Sequence, residues 1–206
     1  MRLVLATNNP GKLNELQALL APLAIEVLPQ SQFTRAAADE TGLSFVENAI
    51  LKARHAARAS GLPAIADDSG IEVDALHGAP GIYSARYAGE HASDQDNLDK
   101  LLVELRAVAA AQRTARYRCA LALLRWDLDP APLVCQASWE GHIIDTPRGH
   151  GGFGYDPIFE IRPGVTVAEL AAGEKNRLSH RGQALRLLVE QLQLRNIAAP
   201  AQSRSP

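Results

Sequence analysis

Cysteine, methionine and aromatic residues are scarce in this 206-residue chain: two Cys, one Met, and 5% Phe, Trp and Tyr together. Cys119 and Cys135 cannot build a disulfide framework. Both sit in apolar, strand-like runs, where a small buried thiol is the ordinary outcome. No four-ligand zinc spacing and no HExxH occurs, and the six histidines are scattered without metal-binding spacing. Neither sign of charge dominates: 21 Lys and Arg stand against 23 Asp and Glu, a formal net charge of −2. That balance argues against a nucleic-acid module or a polybasic membrane anchor. No apolar run approaches the roughly 18 residues of a membrane span. The run at residues 3–6 is too short for a signal-peptide core and stops at polar Thr7, so a cytoplasmic protein is expected.

What is present is an ordinary globular composition, 47% apolar and 21% charged, in a chain long enough to bury a sizeable core. The apolar run 3–6, the polar turn Thr7-Asn8-Asn9-Pro10-Gly11, and Leu13, Leu16, Leu19 and Leu20 at helical spacing read as strand, turn and helix, ending near Pro22. Residues 23–29 read as a second strand and 31–42 as a loop. A helix is predicted over 44–60, with Ala49, Ala53, Ala56 and Ala57 as its apolar face and Gly61 and Pro63 as its stop. Residues 64–66 read as a strand cut short by Asp67-Asp68-Ser69-Gly70, with extended chain resuming at 71–73. Residues 77–92, rich in glycine and proline, read as an irregular functional loop. Ser93 with Asp96 resembles a capping box and opens a helix predicted to run to about Ala111. Residues 116–126 and 133–144 read as a long antiparallel hairpin, 167–171 as a helical turn and 174–194 as a final helix. The tail 197–206 reads as frayed, leaving a single domain over 1–196. Strands and helices mix without strict alternation, so the predicted class is α/β with a mixed sheet.

Polar residues concentrate where these elements end. Thr7-Asn8-Asn9-Pro10-Gly11-Lys12 follows a strand and opens a helix; free N–H groups there favour phosphate, and Lys12 adds a full charge. It is not a Walker A loop, and a plain turn is the alternative. Asp67-Asp68 at a strand end is costly unless solvated, capped or neutralised by a cation. Magnesium takes such carboxylates together with substrate phosphates; an Asx-type turn is the alternative. Because strand neighbours point opposite ways, at most one of the two carboxylates should face a site directly. Glu40 could reach a cation, while Glu47 and Lys52 lie near one helix face; a loop plus a solvated helix face is the simpler reading. Residues 149–154 form a GxGxxG, yet a dinucleotide fingerprint needs a strand before it and a helix after it, and Pro157 follows here. A glycine loop bearing Phe153, Tyr155 and Asp156 suits a flat ring instead, with stacking and an edge-reading carboxylate; a tight turn with core aromatics is the alternative. Lys175, Arg177, His180 and Arg181 crowd the start of the predicted last helix, against its dipole, which points to an external anion or acceptor. Together the segments fit a magnesium-bound nucleoside triphosphate.

The stretches LVLATNNPGKLNEL, ETGLSFVENAILKARHAA, PAIADDSGIEVDALHGAPGIYSARYAG, GHGGFGYDPIF and EKNRLSHRGQA strongly resemble, in order and over residues 3 to about 185, the inosine/xanthosine triphosphate pyrophosphatases of the RdgB type. The resemblance implies a mixed twisted sheet with flanking helices, two lobes around a central substrate cleft, and usually a homodimer. It implies hydrolysis of ITP, dITP and XTP to the monophosphate and pyrophosphate with magnesium. By position it implies that Thr7, Asn8, Asn9, Pro10, Gly11 and Lys12 hold the triphosphate, with Lys52 on the phosphate side. Asp68 matches the catalytic carboxylate, with Ser69 beside it on substrate. Asp68 and Glu40 fall where metal ligands are expected. Phe153, Gly154, Tyr155 and Asp156 match the base and sugar pocket, and Lys175, His180 and Arg181 the base-reading end. Asn8 is the one departure, since glycine is also common there. Two other functions compete: a Maf-type pyrophosphatase of modified pyrimidine triphosphates, and a nucleotide sensor without turnover, against which Asp68 alongside Lys12 argues.

Overall fold

Strand β1 (Arg2–Leu5) has Leu3, Val4 and Leu5 all buried, as a strand covered on both faces requires. It lies parallel to both β2 (Glu26–Pro29) and β3 (Ala64–Val73). These come from a computed structural model, which describes residues 1–7 and 10–195. Strands β4 (Thr114–Leu124), β5 (Leu133–Ile143), β6 (Phe159–Arg162) and β7 (Val165–Thr166) complete a seven-stranded sheet in the order β2-β1-β3-β4-β5-β6-β7. The far end is antiparallel, β6 pairing so with β5 and β7. The sheet is therefore mixed, and the fold α/β. Helices are α1 (Pro10–Leu20), α2 (Phe45–Ser60), α3 (Asp94–Glu104), α4 (Ala172–Leu178) and α5 (His180–Leu194). Among the described residues no helix is long and apolar enough to cross a membrane.

The chain divides into two compact units. The first holds Met1–Asp68, Ala120–Gln136 and the segment from Ala184; the second holds Ser69–Cys119 and Ala137–Gln183. In the first, α2 turns the alanine face Ala49, Ala53, Ala56 and Ala57 inward, all buried, against Ala64 and Ala66 of β3, Ala120 and Ala122 of β4, and Val4 of β1. Side chains this small let a helix axis approach a sheet closely. Ser44 caps α2, its hydroxyl accepting the Glu47 N–H at 3.3 Å, and Gly61 ends it with φ +67°. The second unit packs Ile71 and Val73 of β3, Leu98 and Leu101 of α3, Leu105 just past its end, and Tyr117, Ile143, Ile158 and Phe159 into one core.

Three expectations change. Residues 67–70 do not interrupt the strand: β3 runs unbroken through them. Asp and Gly have poor strand propensity, but tertiary partners override it, since each aspartate meets a lysine and the Ser84 hydroxyl accepts the Ile71 N–H at 2.9 Å. Helix α3 opens on the predicted capping box but stops at Glu104, because its core-facing leucines end at Leu105 and the chain then turns, Arg113 Nε donating to the Val108 carbonyl at 3.0 Å. The final helix is two helices broken at extended Ser179 (φ −62°, ψ 154°). Ser179 restarts α5, accepting the Gly182 N–H on its hydroxyl at 3.1 Å and the Gln183 N–H on its carbonyl at 2.9 Å. A Cβ at Gly182 would lie 1.8 Å from the Asn176 carbonyl oxygen, so this junction needs glycine. The predicted tail 197–206 lies outside the described residues.

Candidate active site

The first cluster belongs to the first unit. Thr7 follows β1, and Pro10, Gly11 and Lys12 form the first turn of α1. Proline suits that position, where its missing N–H costs nothing. Asn8 and Asn9 lie outside the described residues. Lys12 Nζ donates to both carboxylate oxygens of buried Asp67, each at 2.9 Å. The next residue of β3, Asp68, projects to the other face and accepts from Lys52 Nζ at 2.6 Å. Lys52 lies on α2, and the Glu40 carboxylate stands 3.7 Å from the same ammonium. Burial pushes the Asp68 carboxyl above the usual range; Lys52 opposes this, while Glu40 and Asp67 add to it. Asp68 is thus a stronger base than a solvated aspartate, sharing one lysine with a second carboxylate.

Asp68 and Glu40 fit a hard divalent cation by donor chemistry. Both offer oxygen only, and they already converge on one positive charge. Among the described residues no group of three or more His, Cys, Asp or Glu could enclose a metal. Two carboxylates with the remaining positions left to phosphate and water is the pattern magnesium takes.

The second cluster belongs to the second unit and is built around Asp156. This carboxylate is 3% exposed. Its Oδ2 accepts from Lys175 Nζ at 2.5 Å and from the Phe153 N–H at 2.9 Å, and its Oδ1 from the Tyr117 hydroxyl at 3.0 Å. Gly152 (φ +77°) permits this, since a Cβ there would fall 2.0 Å from Asp156 Oδ2. The Phe153 ring is 61% exposed, with the Lys175 ammonium 4.5 Å from its centre. Gly154 N–H donates to Asp94 at 2.9 Å. Tyr155 is buried in the core, its hydroxyl donating to the Ser84 carbonyl at 2.8 Å, so it supports the loop from beneath and Phe153 is the ring left open. The His180 imidazole stacks on Tyr117, ring centres 4.9 Å apart at 14°. Arg181 Nη2 donates to the Ser69 hydroxyl at 3.1 Å.

The helix break alters the electrostatics expected for 174–181. Lys175 and Arg177 occupy the last turn of α4, which favours cations, and only His180 and Arg181 open a helix. Lys175 is fixed by Asp156 rather than opposed by a dipole. Asp67, Asp94 and Tyr117 are hydrogen-bond partners of the candidate residues Lys12, Gly154 and Asp156, and spacing alone does not nominate them. Asp67 carried a signal as one of two adjacent carboxylates. Tyr117 carried none, being one alternation in a strand, 39 residues from Asp156.

Residues 3–191 match the family model described as Ham1 family. This chain belongs to the Ham1 family. Within it, the chain is 60% identical over 194 residues to the dITP/XTP pyrophosphatase of Thioalkalivibrio sulfidiphilus, covering 94% of this chain and 99% of that one. It is 57% identical over 192 residues to the enzyme of the same name from Escherichia coli O157:H7, covering 93% and 98%. The solved Ham1 protein of Coxiella burnetii superposes with a TM-score of 0.90 at 50% identity, over 94% of this chain and 99% of that one. The mixed sheet and helices described above are thus a Ham1 fold.

Proposed function

We propose that this Ham1 chain hydrolyses noncanonical purine nucleoside triphosphates, ITP, dITP and XTP, to the monophosphate and pyrophosphate, and that it does so with magnesium and as a homodimer. The observation that carries the reading is identity of up to 60%, over nearly the whole chain, to proteins named dITP/XTP pyrophosphatase. Releasing pyrophosphate means that water attacks the α-phosphorus and the bond to the β-phosphate bridging oxygen breaks. The attacking water loses a proton, and the leaving pyrophosphate carries away the negative charge.

Asp68 suits the proton-accepting role by its placement, with Lys52 Nζ holding Oδ1 at 2.6 Å and Oδ2 as the oxygen to take a proton from water. Lys12 and Lys52 bring positive charge to the phosphates and offset what develops on the leaving group. Asp68 and Glu40 would hold magnesium, which would supply Lewis acidity to neutralise phosphate charge and acidify water. In the second cluster Phe153 offers an open ring face for a base. Lys175 and Arg181 can only donate, which matches the 6-oxygen of hypoxanthine and xanthine and opposes the 6-amine of adenine. A site built for such hydrogen bonds rejects a mismatched group by about 10⁴-fold.

The test is a product assay with ITP, dITP, XTP, ATP, GTP and methylated UTP, with and without magnesium, counting pyrophosphate and orthophosphate separately. Magnesium-dependent pyrophosphate from ITP, dITP and XTP is expected. Orthophosphate, a preference for the pyrimidine, or tight ITP binding without product overturns the reading.

A further inference from the structure

We propose that Tyr117 is a positioning residue for purine selection: its hydroxyl fixes the Asp156–Lys175 pair and its ring fixes the plane of His180. The proposal rests on reading the second cluster as the base-reading end. Tyr117 lies on β4, well away in sequence from the loop and helices that carry the cluster. Yet it touches two of its members through two different parts of one side chain: the hydroxyl donates to Asp156 Oδ1 at 3.0 Å, and the ring stacks on His180 at 4.9 Å. The ring is itself held edge-on against core Phe159, centres 4.7 Å apart.

A carboxylate as buried as Asp156 must have its lone pairs served. Its two oxygens divide the work. Oδ2 faces the functional side, holding the Lys175 ammonium and the Phe153 N–H. Oδ1 is tied to the core, and among the described residues the donor that reaches it is the Tyr117 hydroxyl. Burial, and then the neighbouring Asp156 charge, keep that hydroxyl protonated and therefore a donor. Without it, Asp156 can turn about its own axis to seek another donor, and Lys175 and the Phe153 backbone move with it. The donors offered to the purine 6-oxygen would then lose their placement while Asp68, Lys12 and Lys52 keep theirs.

Tyr117→Phe separates the two parts, since it keeps every ring contact and removes only the hydroxyl. Purified full-length protein and this variant are compared at a temperature where both are folded by circular dichroism, with ITP and ATP as substrates. The expected result is a rise in the KM for ITP of about tenfold, the size of one charge-assisted hydrogen bond, with kcat within about twofold and a matching fall in the ITP-to-ATP ratio of kcat/KM. A purely structural tyrosine would lower the thermal midpoint and leave this split untouched; KM and selectivity within twofold of the parent overturn the proposal. Side-chain NMR of Lys175 and His180 keeps this separate from the reading of the site. Loss of the hydroxyl should shift the Lys175 resonances and leave the stacked His180 ring in place, and unmoved Lys175 resonances refute the positioning role. A parent protein that turns over none of these triphosphates overturns the site reading and the selection role with it.

Discussion

Asp68 is buried and charged, and its carboxyl is more basic than an ordinary aspartate because desolvation outweighs the help of Lys52. Asp68→Asn preserves shape and removes both the charge and the proton-accepting oxygen. Turnover of ITP should fall by at least about 10²-fold, within the range of a positioned acid–base group, while the circular dichroism spectrum stays that of a folded protein. Steady-state pyrophosphate release checks it, and near-parental turnover would remove Asp68 from the chemistry. Asp67, one residue earlier, holds Lys12 in a two-oxygen ion pair instead. Strand alternation thus gives two adjacent carboxylates different partners.

Helix α2 carries Lys52 beside its alanine face, within reach of Asp68 on β3, so the packing of that face sets where the lysine sits. Ala53 is fully buried against the sheet. Ala53→Leu forces extra methylenes into a filled contact and should cost about 1–3 kcal/mol, read as a lower urea midpoint at unchanged slope; an unshifted midpoint would show the contact to be slack. Beyond β3, Asp74 receives a forked contact from Arg116 of β4, Nη1 at 2.8 Å and Nη2 at 2.9 Å, and the Thr114 hydroxyl at 2.6 Å. The Arg116 hydrogen bonds, then that of Thr114, hold the Asp74 carboxyl at about 2 against an ordinary 3.8. A depressed folded value means the unfolded chain binds the proton more readily. The contribution is therefore present above pH 3.8 and lost as pH falls through 2. Asp74 is 45% exposed, so screening keeps it below about 1 kcal/mol. Urea midpoints of parent and Asp74→Asn should differ at pH 6 and converge toward pH 2; a constant gap would deny the ion pair any role.

Strands β3, β4 and β5 each contribute residues to both units. The chain passes from one to the other at Asp68–Ser69 in β3, at Cys119–Ala120 in β4 and at Gln136–Ala137 in β5. Neither unit is a continuous stretch of sequence, so neither can be cut out whole. With the backbone passing between the units inside three strands, a single cooperative transition is expected. The two tryptophans report on this separately: Trp126 lies in the first unit and Trp139 in the second. Trp126→Phe and Trp139→Phe, each leaving one reporter, should give the same urea midpoint by fluorescence, once corrected for any change measured by circular dichroism. Separate midpoints would mean that the units melt independently.

Local features were legible in the chain because their causes are local. The Ser93–Asp96 box follows from side chains reaching N–H groups three residues on, and the alanine face from helical period. The α4–α5 break was equally local, yet the Ser179 cap and the Gly182 close approach lay hidden inside a continuous helical pattern. The motifs carrying Lys12, Lys52, Asp68, Asp156 and Lys175 stand out in the chain as polar segments, and each of these residues enters a close ion pair. Partner choice was decided elsewhere. Lys12 meets Asp67 across 55 residues, Lys52 meets Asp68 across 16, and Tyr117 meets Asp156 across 39. Period and propensity run along the chain and cannot encode such pairings. Strand order and the seating of α1 and α2 bring those side chains within hydrogen-bond reach, and that arrangement exists only once the core has packed.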